Sequence, residues 1–309
     1  MRVVHVVVPE GIDDPARPSG GNTYDRHVCR ELTERGWVVH EHAGAVAGIP
    51  DGATVMIDGL IAAGAEKALP RVRLVVLLHM PLGDGRERAV LAAADAVITT
   101  SHWARSEVLA AHGLPADRVH VAEPGVEPAA LARGSDGGEA LLCVGAVIPG
   151  KGHDVLVDAL ARIDELAWTC TCVGTLERDR AFADRVRHDR VDFVGARVEA
   201  ALDECYAGAD LLVLPSRAES YGMVITEALA RGVPVIASDV GGVPEALGNG
   251  GILVTPDDAG ALAEALRAWL TDADLRARLR AAARERRAAL QPWSTTTDRI
   301  ADVLASVAR

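Results

Sequence analysis

Short apolar runs alternate along this chain with longer stretches in which apolar residues recur every three or four positions. The runs Val3–Val8, Val38–His42, Thr54–Ile57, Leu74–Leu78, Ala96–Thr99 and Val119–Ala122 are continuous more than alternating. That pattern predicts strands of a parallel sheet covered on both faces. Helical periodicity fills the intervals at Tyr24–Arg35 and Trp103–His112. Ala132–Glu139, ARGSDGGE, is small, polar and glycine-rich, and reads as a linker. The alternation then restarts, with strands predicted at Ala140–Ile148, Trp168–Val173, Val191–Val194, Leu211–Leu214, Val233–Ala237 and Ile252–Val254. Helices are expected at His153–Ile163, Arg197–Ala207, Met223–Arg231 and Ala259–Leu270, followed by Ala273–Leu290 and Trp293–Val307. Two successive βα arrays imply an α/β fold of two doubly wound domains, residues 1–135 and 136–292, facing each other across a cleft. Ligands of such sheets bind beyond the carboxyl ends of the strands.

Composition narrows the partners. The 309 residues are 49% apolar and 25% charged, which excludes wholesale disorder. The net charge is −12, and neither half is basic: residues 1–135 carry 13 basic and 17 acidic groups, residues 136–309 carry 19 and 27. Nucleic acid and anionic membrane are thereby disfavoured as main partners. The opening MRVVHVVVPEG lacks the pattern of a secretory signal, and no run of 18 apolar residues occurs, so a cytoplasmic protein without an integral membrane segment is expected. Five cysteines, with Cys170 and Cys172 two apart, fit buried reduced thiols better than a redox pair or a zinc knuckle. The arginine-rich Ala273–Leu290 segment reads as a solvated helix face. The acids Asp272 and Asp274 at its start read as helix-capping groups, and no metal is assigned. Oligomeric state is not legible. Lysine is nearly absent, Lys67 and Lys151 being the two in the chain against 30 arginines, so each stands out.

The most informative segment is Arg217–Glu227, RAESYGMVITE, which follows the strand LLVLP and leads into a helix. Ser220 and Gly222 mark the helix start, where free amides and the positive dipole end receive anions. Glu219 precedes that start and Glu227 lies inside the helix, so the two carboxylates flank an anion site. Read alone, the spacing also fits a capped helix with two solvated glutamates. Gly145-x4-Gly150-Lys151 approaches a phosphate-cradling P-loop, but Gly152 stands where that loop needs Ser or Thr, and Pro149 removes an amide. No G-x-G-x-x-G follows a strand and no G-x-S-x-G occurs, which disfavours a Rossmann dehydrogenase and an α/β-hydrolase.

Three segments in order, GAVIPGKGHDVLVDAL, ESYGMxxxE and GVPVIASDVGGVPE, resemble retaining glycosyltransferases of the GT-B fold, family 4. The resemblance is close over residues 140–270. It is looser over 1–135, where it rests on the loop P-S-G-G-N after the first strand and on His79 at a strand end. It implies two facing Rossmann-like domains with an interdomain cleft, the terminal helix 293–309 packing back on the first. The implied reaction moves a sugar from a nucleotide-diphosphate sugar, a UDP-sugar ahead of a GDP-sugar, to an unidentified acceptor hydroxyl, with retention and without a metal or other cofactor.

By the same resemblance Glu219 meets donor-sugar hydroxyls, with Ser220 and the amides of Tyr221 and Gly222 nearby. Amides at Met223 and Val224 meet the α-phosphate, and Glu227 takes the ribose hydroxyls. Lys151 neutralises the diphosphate, and the Gly20–Gly21 loop lets the β-phosphate approach. His79 faces the reacting sugar, and the nucleobase sits by the loop of Phe193–Gly195. The family pairs the lysine with an arginine five residues earlier, and that position is Ala146 here. The missing cation is worth on the order of a few kcal/mol of transition-state stabilisation. Arg217 and Arg105 are candidates to replace it. Failing that, a catalytically weak or inactive nucleotide-sugar-binding protein is the alternative.

Overall fold

The computed structural model describes residues 2–65 and 71–308. Lys67 lies outside the described residues. Contacts divide the chain into two units: residues 1–14, 19–125 and 291–309 form the first, and 15–18 with 126–290 the second.

In the first unit the order is β1 (Arg2–Val8), α1 (Gly20–Glu34), β2 (Trp37–Ala43), β3 (Thr54–Asp58), α2 (Gly59–Ala65) and β4 (Arg73–Leu78). Then come α3 (Gly85–Ala93), β5 (Ala96–Thr99), α4 (His102–His112) and β6 (Val119–Val121). The second unit runs β7 (Ala140–Val144), α5 (His153–Ala161), β8 (Thr169–Val173), α6 (Arg180–Arg185), β9 (Val191–Gly195) and α7 (Glu199–Ala207). It continues through β10 (Leu211–Leu214), α8 (Met223–Ala230), β11 (Val235–Ser238), α9 (Val243–Leu247), β12 (Gly251–Val254), α10 (Ala259–Thr271) and α11 (Ala273–Ala289). A final helix, α12 (Trp293–Val307), belongs to the first unit.

Each unit is built on one six-stranded sheet whose strand pairs are all parallel. The α/β class and the doubly wound pattern therefore hold for both. Strand order is β2-β1-β3-β4-β5-β6 in the first sheet and β12-β11-β10-β7-β8-β9 in the second. The order reverses between β1 and β3, and again between β10 and β7. At such switch points the loops leave in opposite directions and open a crevice beyond the carboxyl ends.

The apolar runs bury both sheet faces. Leu141 and Cys143 of β7 join one core with Leu156, Leu160 and Trp269, while Leu142, one residue out of phase, joins the other with Tyr206, Ile225 and Leu229. Side-chain oxygens set several helix starts: Ser19 caps α1, Asp84 caps α3, Ser101 caps α4, and Asp272 caps α11 through the Leu275 amide. That last bond bears out the capping reading of the Asp272–Asp274 pair.

Several expectations need correction. The apolar run Ala140–Ile148 is strand only to Val144, because pairing with β8 ends at Val144–Val173 and Gly145 turns the chain over Gly174. A Cβ on Gly174 would lie 1.9 Å from the Gly145 carbonyl oxygen, so the turn requires glycine beneath it. Helices α2, α3 and α6 are not expected from the pattern, being short or without a clear apolar stripe. The stretch 132–139 is pinned inside the second unit by Asp210, which accepts hydrogen bonds from the amides of Ser135 and Ala140 and from the Ser135 hydroxyl. Terminal helix α12 lies against α1, with Trp293 stacked on His27 at 4.2 Å and edge-on to Tyr24 at 5.4 Å. No helix among the described residues is long and apolar enough to cross a membrane.

Candidate functional site

In the second unit, the loops after β7 and β10 meet at the strand-order reversal. The β7 loop ends in a tight turn, Pro149–Lys151, and passes into α5 through Gly152 at φ +68°. A Cβ on Gly152 would stand 2.0 Å from the Pro215 carbonyl oxygen, so the loop rests directly on the chain leaving β10. This contact aims Lys151 across the gap. Its ammonium Nζ donates to Glu219 Oε1 at 2.6 Å, and the buried Ser216 hydroxyl donates to the same oxygen at 2.8 Å. Lys151 and Glu219, 68 residues apart, are thus brought together as a charged pair, with 30% and 10% of their side-chain surfaces exposed.

Next to that pair α8 begins. Gly222 is its cap residue at φ +92°, and no side chain caps the helix. Ser220 is half-buried and Tyr221 is packed in the core beneath, so Met223 and Val224 carry the first helical amides. An uncapped start carries a partial positive charge and unpaired donors, the requirement for an anion.

Glu227 sits in the second turn of α8. Its Oε2 accepts from the Tyr206 hydroxyl at 2.7 Å, and Arg231 lies 4.8 Å over the Tyr206 ring while donating to the Glu227 carbonyl. Burial pushes the Glu227 carboxyl above its ordinary value, against the opposing pull of the Tyr206 hydrogen bond and the Arg231 charge. Burial, then the Glu227 charge, drives the Tyr206 phenol well above its ordinary range. Gly195 ends β9 at φ +73° with open space where a Cβ would be, and its carbonyl accepts from the Gly174 amide.

Neither arginine considered as a substitute for the cation absent at Ala146 is available in this arrangement. Arg217 makes a two-pronged bond to Asp154, 2.9 Å on each side, and also binds Asp257 and the Pro149 carbonyl. Desolvation raises the Asp154 carboxyl, but the Arg217 hydrogen bonds and charge outweigh it and hold it below its ordinary range. Arg217 therefore braces the Lys151 loop from behind. Arg105 is spent on the Val119 and Ala116 carbonyls of the first unit.

In the first unit, Gly20 and Gly21 open α1, and Gly21 packs against His79, which follows β4. A Cβ on Gly21 would approach His79 Cδ2 to 3.2 Å. His79 Nε2 lies 2.8 Å from Asp25 Oδ1 and 3.6 Å from Asp58 Oδ2. Tyr24 meets the ring edge-on at 5.2 Å. Desolvation lowers the His79 pKa, but the Asp25 charge and hydrogen bond and the Asp58 charge more than reverse it, and the net shift is upward. The Asp58 carboxyl is also pushed up, by burial first, with Asp25 adding and His79 opposing. Sequence reasoning missed both acids. Their signals were an aspartate inside the apolar stripe of α1, between Tyr24 and Val28, and another closing the buried strand TVMID.

Two clusters bring ligand-type atoms within 4.8 Å of one another, Asp25 with Asp58 and His79, and Cys143 with His153 and Cys172. In the first, His79 Nε2 is already paired with Asp25 Oδ1 at 2.8 Å. The second is sealed in the core, where Cys143 and Cys172 face each other across paired strands. Four of the five cysteines are buried and all are free thiols.

Comparison with known proteins bears on this geometry. The family Glycosyl transferases group 1 matches residues 138–272, and Glycosyltransferase Family 4 matches residues 53–130. The chain is similar to D-inositol 3-phosphate glycosyltransferase 1 of Catenulispora acidiphila, at 32% identity over 71% of this chain and 59% of that one. It is 31% identical to the D-inositol 3-phosphate glycosyltransferase of Xylanimonas cellulosilytica over 92% of this chain and 77% of that one. The first three such relatives are matched over 54–59% of their length. Among solved structures, sucrose-phosphate synthase from Thermosynechococcus elongatus superposes with a TM-score of 0.79 at 22% identity, covering 99% of each chain. Anabaena HepE in complex with UDP-glucose superposes at 0.76 and 20% identity, over 99% of this chain and 100% of that one. The fold is that of the GT-B glycosyltransferases.

Proposed function

We propose, for a chain that belongs to the group 1 and family 4 glycosyltransferases, that it moves a sugar from a nucleotide-diphosphate sugar to an acceptor hydroxyl, with retention and without a metal. The observation that carries this reading is the Lys151–Glu219 pair at 2.6 Å beside the uncapped start of α8. A diphosphate supplies the anion that the helix amides lack and competes with Glu219 for the ammonium, and in taking it Lys151 releases Glu219 to accept from sugar hydroxyls. Glu227, held by Tyr206, is positioned for a ribose. UDP is the first nucleotide to test, as in the HepE complex, and D-inositol 3-phosphate the first acceptor, after the relatives' names.

In a retaining transfer without an enzymic nucleophile, the C1–O bond to phosphate breaks and the acceptor oxygen bonds C1 on the same face. The acceptor's proton passes to the departing phosphate oxygen. The protein's part is to stabilise the oxocarbenium-like sugar and the growing diphosphate charge, through Lys151 and the α8 amides. His79 contributes a hydrogen bond to the sugar.

Thermal stabilisation by a panel of UDP-, GDP- and ADP-sugars, followed by transfer with NMR reading of the product's anomeric configuration, tests the proposal. Inversion removes the retaining mechanism, and neither stabilisation nor transfer with any donor removes the function. A second reading has its own observation. Ala146 offers no cation and Arg217 is engaged with two aspartates, which favours a protein that binds the donor and turns it over slowly. Tight binding with no transfer or donor hydrolysis selects that reading.

A further inference from the structure

Three elements converge on His79: α1 brings Asp25 and Tyr24, the end of β3 brings Asp58, and the turn after β5 brings Thr100, whose hydroxyl reaches the His79 carbonyl. Asp25 and Asp58 are 2% and 5% exposed, so their charges act on the ring with little screening by water. Asp25 Oδ2 is buried without a partner among the described residues, which leaves the Nε2 contact as that carboxylate's one side-chain hydrogen bond. Gly21 presses on the Cδ2 edge and Tyr24 meets the ring edge-on. The other nitrogen, Nδ1, has no hydrogen-bond partner among the described residues, and the His79 side chain keeps 18% of its surface exposed.

We propose that Asp25 and Asp58 are positioning residues that hold His79 as an imidazolium and fix Nε2–H inward, so that Nδ1–H faces the ligand as a donor. This rests on the transferase reading for the identity of that ligand, and it deepens the role of His79. A protonated imidazole cannot take a proton from the acceptor hydroxyl, so His79 is excluded as the base of the transfer. It serves oxygen atoms that carry or gain negative charge, and its service ends as pH rises through its pKa. The upward shift of the His79 pKa agrees with this.

The test is an NMR titration of the histidine ring carbons in the intact protein, with His79→Gln assigning the resonance, alongside pH profiles of kcat/KM. His79 is expected to titrate above the ordinary 6.5, and in Asp58→Asn or Asp25→Asn lower than in the unaltered chain. The alkaline limb of kcat/KM should move down with it, Asp25→Glu should restore part of the shift, and UDP affinity should stay within about twofold of the unaltered chain. A midpoint at or below 6.5 in the unaltered chain, or one that neither asparagine variant moves, overturns the proposal. The titration needs no donor. A raised midpoint in a chain that transfers no sugar therefore upholds the charge assignment while the transferase reading falls.

Discussion

Two glycines of the Lys151 loop, Gly150 and Gly152, are expected to give opposite outcomes. At Gly152 a methyl group meets two obstacles. The backbone is left-handed at φ +68°, which costs an L-residue about 1–2 kcal/mol. The new Cβ would also lie 2.0 Å from the Pro215 carbonyl oxygen and 2.9 Å from its carbon. Relief requires a separation of about 1 Å, and forced overpacking of this kind costs about 1–3 kcal/mol. Pro215 follows β10, whose four residues are buried between β7 and β11, so the loop is the partner that moves. Gly152→Ala is therefore expected to lose about 2–5 kcal/mol in urea unfolding. It should also weaken UDP binding more than tenfold by calorimetry, because Lys151 leaves its 2.6 Å position against Glu219. At Gly150 the φ is ordinary and nothing lies within 4 Å of where a methyl group would stand, so Gly150→Ala should change stability by no more than about 1 kcal/mol, in the favourable direction. Equal losses at the two sites, or a Gly152→Ala variant within about 0.5 kcal/mol of the unaltered chain, would refute the claim that the close approach to Pro215 positions the lysine.

Further outcomes follow from other contacts. Lys151→Ala leaves Glu219 largely buried with the Ser216 hydroxyl as its remaining side-chain partner, and should cost about 1–3 kcal/mol by urea titration, less than a fully buried pair because the lysine is 30% exposed. The same variant should weaken nucleoside-diphosphate binding by more than tenfold, and unchanged affinity would displace the phosphate site. Tyr206→Phe removes a hydrogen bond that draws the Glu227 pKa down against burial. On the proposed function Glu227 accepts ribose hydroxyls in its ionised form, and its folded pKa is raised, so UDP affinity should fall as pH drops through that pKa, with the fall beginning at higher pH in the variant. A calorimetric pH series that is identical in both proteins would remove Glu227 from the ribose site. Arg190 stacks 3.8 Å over Trp168 and donates to the carbonyls of Asp164, Leu166 and Trp168. Arg190→Ala should cost about 2–3 kcal/mol, and Arg190→Lys should recover less than half of it, since an ammonium cannot reach three carbonyls in one plane.

How much of this was legible in the chain varied with the physics involved. Parallel strands bury both faces, so runs such as LLVLP and VITT announce themselves by continuity, and the strand-loop-helix order around Arg217–Glu227 placed Glu219 and Glu227 on the correct side of a helix start. Continuity also misled at Ala140–Ile148. Val147 is fully buried without being strand, and apolar sequence does not distinguish a strand from a loop packed under one. A helix under two turns such as α6 offers too few residues for a period to be read. What the sequence could not display was convergence between distant elements. Asp25, Asp58 and His79 are separated by 33 and 21 positions, and the two acids look unremarkable until the β1/β3 reversal of strand order brings α1 and the ends of β3 and β4 to one edge.

The same point decides how Ala146 is to be understood. Counted along the chain, Arg217 is a free cation two residues before Glu219, and so an obvious replacement for the one that Ala146 lacks. In the fold its guanidinium is committed to Asp154, Asp257 and the Pro149 carbonyl, and its amide donates to the Gly150 carbonyl. Moving it to a diphosphate would strip Asp154 of a two-pronged partner and release the turn that presents Lys151. Arg217 thus fixes where the Lys151 ammonium stands, and on the proposed function its effect on phosphate runs through that lysine. A loop braced in this way loses little entropy when the anion arrives, which offsets part of what a second cation would have contributed. On the proposed function, the charge that the second unit brings to a leaving diphosphate falls on one lysine and the start of α8, and removing either should depress turnover further than in a site with a spare arginine.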